Sequence, residues 1–160
     1  MCKSPNNQGR YLSRMLLVAV IACIVAACGA SGKSFVASTP TSGNGLVYVY
    51  RTSRFVGSVN VWDLRANGVR VTAVRNGGYF PYDSKPGNVT FSGKLRSNIG
   101  TWTVAPFMAD REMITINVQP GEVYFVKFDH KGGGAYMELV DKKTGEEEIR
   151  DLKMLERLEE

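Results

Sequence analysis

The sequence predicts a mainly β fold: an antiparallel β-sandwich of seven or eight strands with a short C-terminal α-helix. Three observations carry that expectation. Short runs of alternating apolar and polar residues recur from Leu46 to Val140, and alternation is the pattern of a half-buried strand. Asn67-Gly68 lies between two such runs. It is a strong hairpin signal, because both central residues of a type I′ turn need positive φ. Pro86-Gly87 and Pro120-Gly121 each open a stretch of the form Pro-Gly-x-Val-x-Phe. Pro presets φ at the second position of a turn and Gly takes positive φ at the third.

The elements follow in order. Leu46 to Tyr50 is apolar on both alternating faces and is expected at the centre of a sheet. Val59 to Ala66 and Val69 to Val74 form the arms of the Asn-Gly hairpin. The first arm breaks its alternation, since Val59 and Val61 share one face and Trp62 and Leu64 the other; a bulge near Val61–Trp62 would account for this. Asn76-Gly77-Gly78 is a second turn, leading into Tyr79-Phe80. Val89, Phe91 and Leu95 mark the next strand, Trp102 and Val104 another, and Ile114, Ile116 and Val118 a third. Val123 to Phe128 is again apolar on both faces, and Ala135 to Val140 is the last strand, entered through Gly132-Gly133-Gly134. The two Pro-Gly turns should share one end of the sandwich. Thr144 with Glu147 has the capping-box pattern, and Glu146 to Glu148 suit the first turn of a helix dipole. Ile149, Leu152, Leu155 and Leu158 recur every three residues. Gly145 to about Leu158 therefore reads as an amphipathic helix whose stripe packs on the sandwich or docks a partner.

The N-terminus has a different character. Residues 1–14 hold Lys3, Arg10 and Arg14 and no acid, and Met15 to Ala27 is an unbroken apolar run. As a helix that run is ~20 Å long, against a hydrocarbon core of ~30 Å. A basic start, a short apolar run and a small-residue end form a secretory signal. Val25-Ala26-Ala27-Cys28 resembles the lipobox of bacterial lipoproteins. The resemblance implies cleavage before Cys28, lipid on its thiol and an acylated new N-terminus, and several chains hold a protein firmly to a membrane. In lipoproteins of this kind Asp after the cysteine favours the inner membrane, so Gly29 points to the outer membrane with the domain in the periplasm. Cys2 and Cys23 would be removed and Cys28 acylated, leaving no thiol for a disulfide. The expected organisation is a signal peptide at 1–27, a lipidated cysteine and flexible tether at 28–43, a β-sandwich at 44–143 and a helix at 144–160. The tether, rich in Gly, Ser, Thr and Pro, would reach ~20 Å as a random coil.

LVYVYR at Leu46–Arg51, the Asn-Gly hairpin, GGYF at Gly77–Phe80 and PGEVYFVKF at Pro120–Phe128 resemble an uncharacterised family of bacterial lipoproteins. Their domain is similar to small prealbumin-like and carboxypeptidase-regulatory-like sandwiches, an Ig-like architecture. The resemblance implies a fold and no catalytic residues.

The chemistry is sparse. The single histidine, His130, lies beside a Gly-rich turn and is expected to be an exposed loop residue. No G-x-S-x-G nucleophile setting and no H-E-x-x-H pair occurs, so no cofactor or metal is expected. Asp63, Asp83, Asp110 and Asp129 fall near turns or strand ends; a glycosidase needs two carboxyls across a cleft, which sequence does not show. Net charge is +5, of which the signal supplies three, so the remainder is only weakly basic. The reading is a non-catalytic, lipid-anchored envelope module that binds or scaffolds; the alternative is a hydrolase of cell-wall or lipid material. Partners would be the membrane through the anchor, and an envelope protein or anionic polymer, with no nucleic acid. Arg51, Arg54 and Phe55 follow the first strand and are contact candidates, the alternative being an ordinary solvated turn. Arg75, Lys94 and Arg96 could extend a basic face, with Tyr79 and Tyr82 available for stacking.

Overall fold

Strands that are apolar on both faces need cover on both faces, and that requirement arranges this molecule. The structure, a computed structural model, describes Arg14 and residues 29–96, 110–131 and 134–158. Its strands are β1 (Gly45–Arg51), β2 (Val61–Ala66), β3 (Val69–Val74), β4 (Gly78–Ser84), β5 (Gly87–Arg96), β6 (Arg111–Val118), β7 (Val123–Lys131), β8 (Gly134–Val140) and β9 (Lys153–Met154). A helix, α1 (Lys142–Ile149), lies between β8 and β9. One sheet has the order β8-β7-β1-β4-β9 and the other β3-β2-β5-β6. Residues 1–13 and 15–28, with the expected lipobox at Val25, Ala26, Ala27 and Cys28, the expected strand around Trp102 and Val104, and Gly132-Gly133 lie outside the described residues.

The two sheets make the expected sandwich. Val47, Val49, Phe80, Val126 and Phe128 of the five-stranded sheet meet Trp62, Leu64, Val89, Phe91 and Val118 of the four-stranded sheet in one core. A second cluster covers the outer face of the five-stranded sheet, where Leu46, Tyr48, Tyr50, Tyr79 and Phe125 pack with Ile149 and Leu152. β1 is therefore buried on both faces, as its residues require.

Pairing departs from the all-antiparallel expectation. β1 and β7 run parallel, as do β4 and β9, which also takes the described strands to nine. The two strands that read as apolar on both faces are the central parallel pair, and burial on both faces is the habit of parallel strands. The bulge expected at Val61–Trp62 is absent: β2 buries Trp62, Leu64 and Ala66 in clean alternation, and the register shift lies at Leu64/Arg65 against β3. Val59 is not part of the strand.

The turns form as their φ requirements dictate. Asn67 has φ 50° and Gly68 φ 83°, the left-handed pair of a type I′ turn. Gly121 has φ 77° and Glu122 N donates to Gln119 O at 3.3 Å. The Pro-Gly turns do share one end, since Gly87 pairs with Val118. At both of them the chain changes sheet, from β4 to β5 and from β6 to β7, as it also does from β1 to β2 and from β3 to β4.

Two expectations are corrected at the termini. The cap of α1 is Asp141, three residues before the expected Thr144, because Asp141 accepts from Thr144 N at 3.0 Å and from its Oγ1 at 2.6 Å. It stops at Ile149, and the rest of the apolar stripe is not helical. Lys153 N donates to Gly77 O at 3.0 Å and Leu155 N to Tyr79 O at 2.7 Å, so the open edge of β4 captures the chain as β9. The stripe residues Ile149, Leu152 and Leu155 are buried against this protein's own sheets.

Residues 29–43, expected as a flexible tether, are laid along the sandwich. Ala30 N donates to Asn76 O at 3.0 Å and Met154 N to Lys33 O at 2.8 Å. Phe35 meets Tyr48 and Tyr79 edge-on, each with ring centroids 5.3 Å apart. Ser38 N donates to the Tyr48 hydroxyl at 2.8 Å and Thr41 N to Asp83 Oδ2 at 2.7 Å. One aromatic residue and the polar groups of an uncovered sheet face outweigh a tether-like composition.

Candidate functional site

The end of the sandwich opposite the Pro-Gly turns carries the loop from β1 to β2, residues 52–60. Arg51 closes β1 with its side chain turned inward and buried. Its Nη1 donates to Asn60 O at 2.7 Å and its Nη2 to Gly57 O at 2.6 Å, so one guanidinium holds the far half of the loop. Two short turns stiffen it further: Ser58 N donates to Phe55 O at 3.2 Å, and Asn60 N to Gly57 O at 3.0 Å. Gly57 takes φ +75° there, which a side chain would disfavour.

Arg54 ties the near half. Its N–H donates to Asn76 Oδ1 at 2.9 Å, and its Nη2 meets Asp129 Oδ2 at 2.8 Å. Asp129 is buried, and its Oδ1 accepts from His130 N at 2.7 Å. Next to it the indole N–H of Trp62 donates to His130 Nε2 at 3.1 Å. The imidazole ring also lies against Phe128, with centroids 5.5 Å apart. Burial holds His130 below its ordinary pKa, Arg51 and Arg54 push the same way, and Asp129 opposes them. The neutral ring keeps Nε2 as the acceptor that the indole requires.

Three side chains are left pointing into solvent from this stiffened loop. Phe55 is 89% exposed, Val56 85% and Val59 67%. Arg75, next to Asn76 in the chain, is exposed, and it lines a cleft of about 370 Å³ together with Gly29, Ala30, Arg96, Leu155 and Leu158.

The sequence candidates thus divide. Phe55 is presented as expected. Arg54 is half exposed but engaged with Asp129. Arg51 is corrected: it is an internal brace and offers nothing to a ligand. His130 is corrected likewise, because it lies within β7, half-buried against Trp62 and Phe128. Tyr79 is buried, and Tyr82 packs edge-on against Phe91, so neither is a free stacking platform. Arg96 pairs with Asp63, which Arg70 also contacts at 2.9 Å. Asp83 serves the docked N-terminal segment and Asp110 pairs with Arg65 at 3.2 Å. The four aspartates thus have separate structural partners. Val56 and Val59 are what sequence reasoning passed over. The break in alternation at Val59 was their signal, read instead as a bulge. Among the described residues no three His, Cys, Asp or Glu side chains gather as a metal set, and no helix is long and apolar enough to cross a membrane.

Fold and site together define a small two-sheet sandwich with a rigid, apolar-tipped loop at one end. A family described as a protein of unknown function, DUF2846, matches residues 41–141, and the chain belongs to it. No curated protein and no solved structure matches the chain.

Proposed function

We propose that this chain is a lipid-anchored lipoprotein of the bacterial envelope, with a sandwich that binds or scaffolds without turnover. The observation that carries the anchor is the sequence Val25-Ala26-Ala27-Cys28 at the end of a basic-then-apolar leader. Gly29 favours the outer membrane and a periplasmic domain. The prealbumin-like reading of the domain is supported by the facing sheets β8-β7-β1-β4 and β3-β2-β5-β6, with β1 and β7 parallel at the centre.

The non-catalytic reading draws support from how the polar groups at the loop end are used. His130 Nε2 is occupied by the Trp62 indole, and Asp129 is engaged by Arg54. A general base needs a free lone pair within reach of its substrate, and each group here serves the framework instead. The binding surface is then the loop with Arg54 and Phe55, a variable segment on a rigid platform.

Cys28→Ala tests the anchor. The variant should lose incorporation of a fatty-acid analogue and keep the mass of the uncleaved precursor. Equal labelling of variant and wild type would sink the reading. Release of a defined product from purified cell wall or lipid by the pure protein would replace binding with hydrolysis.

A further inference from the structure

The loop that presents Phe55, Val56 and Val59 lies beside the point where the chain leaves the sandwich towards Cys28. Asn76 joins the two. Its backbone bridges to Gly29, with Ala30 N donating to Asn76 O at 3.0 Å, while its side chain accepts from Arg54 N at 2.9 Å. Phe55 follows Arg54 directly. The residue before Gly29 is one peptide away, ~3.8 Å between Cα atoms.

There is no slack in between. A free tether over residues 29–43 would have let the domain stand ~20 Å from its lipid. That segment is instead fastened along the five-stranded sheet through Ala30, Lys33, Phe35, Ser38 and Thr41. A lipid on Cys28 therefore places this end of the sandwich at the bilayer surface and no other.

We infer that the β1–β2 loop is a second membrane contact, with Phe55, Val56 and Val59 entering the interface of the bilayer that holds the lipid on Cys28. This rests on the lipoprotein reading above and goes beyond it. Three considerations favour a bilayer as the occupant. Three apolar side chains within five residues are held out by a braced loop, where an unbraced loop could fold them inward. Apolar groups of interfacial elements sit ~5–10 Å into the headgroup and acyl boundary, a depth that side chains at a loop tip can reach. Exposed Arg75 adjoins Asn76, the residue that accepts from Arg54 N, and a free cation near an apolar tip suits anionic headgroups. The anchor and the loop would then act as two linked attachments, the second made effectively intramolecular by the first.

The test uses the full precursor, expressed in a bacterium and purified after processing. With Cys2 and Cys23 removed and Cys28 acylated, an introduced cysteine is a free thiol for an environment-sensitive fluorophore. Phe55→Cys and Val56→Cys report on the loop. Val69→Cys is the control, because Val69 is also apolar and 59% exposed but follows the Asn67-Gly68 turn at the far end of β2. Each labelled protein is placed in vesicles of phosphatidylethanolamine and phosphatidylglycerol, with and without spin-labelled lipid. Labels at 55 and 56 should shift to shorter emission wavelength and lose intensity to the spin label, while the label at 69 does neither. In the unlabelled protein, amide exchange over residues 54–59 should slow on vesicles relative to detergent. Lipidated protein in which labels at 55, 56 and 69 behave alike overturns the loop contact and leaves the anchor standing. A mature N-terminus found by mass to carry no lipid overturns the anchor and the inference with it. Crosslinking of position 55 to a protein, without quenching by lipid, overturns the bilayer as occupant.

Discussion

The guanidinium of Arg51 is buried with two carbonyl acceptors, on Asn60 and Gly57. Burial lowers its pKa and the nearby Asp129 opposes that; a guanidinium stays charged in proteins, so each N–H···O bond is charge-assisted. Nothing local distinguishes this residue from Arg54. Both read as solvated cations after a strand, and only the path of the loop over β1 turns one inward. His130 misled in the same way, since a neighbouring Gly-rich turn reads as exposure while Trp62 comes from a distant strand. Its lowered pKa has a consequence with a definite sign. Below its ordinary value of 6.5 the unfolded chain takes up a proton that the folded chain resists. Stability contributed by the neutral ring is present above that value and is lost as pH falls towards the folded pKa. The melting temperature of the wild type should therefore fall more steeply between about pH 7 and 5.5 than that of His130→Gln. Parallel pH profiles for the two proteins would refute this. Glu148 and Asp83 act in a lower window. Burial raises both, but bonds from Lys127 and Tyr50 to Glu148, and from Thr41 and Asn44 to Asp83, outweigh it and hold them below the ordinary carboxylate range.

Turns and helix ends differ in how much of their geometry is local. The Asn67-Gly68 and Pro120-Gly121 turns form where the sequence places them, because positive φ is a demand that only a few residue types meet. The helix was legible in kind and wrong in extent. A three-residue apolar recurrence is consistent with a longer helix, but hydrogen-bonding the exposed edge of β4 satisfies backbone groups that the helix would have left open. Gly145 shows what binds the helix down. It is buried, and a Cβ there would lie 2.2 Å from Cγ of Phe125, whose ring stacks on Tyr48 at 5.4 Å. Helix propensity alone would have Gly145→Ala stabilise by ~1 kcal/mol. The close approach reverses that sign. The variant should lose about 1–3 kcal/mol in a denaturant titration, and a gain would show that α1 does not sit tightly on β7.

The molecule has two apolar layers, one between the sheets and one outside the five-stranded sheet, and the second depends on segments from both ends of the chain. Phe35 closes it from the N-terminal side. Its two edge-on ring contacts are each worth ~0.5–1.5 kcal/mol beyond area burial. Phe35→Ala should cost about 1–3 kcal/mol, less than the ~3–5 expected of a fully buried ring. An unchanged unfolding midpoint would mean that residues 29–43 contribute nothing to the fold. That outcome would also restore the slack whose absence the proposed membrane contact of Phe55 relies on. The sandwich, the central place of β1, the two apolar faces of β7, the hairpin turn and the shared end of the Pro-Gly turns could all be read from residues next to one another, because alternation and φ are properties of short stretches. The parallel pairing of β1 with β7, the capture of Lys153–Met154 by β4, the fastening of residues 29–43 and the burial of Arg51 and His130 could not. Each answers a demand made elsewhere in the chain, by an open strand edge, an uncovered apolar face or a pair of loop carbonyls. Such demands are met by whichever segment the fold brings within reach, and a local pattern carries no record of it.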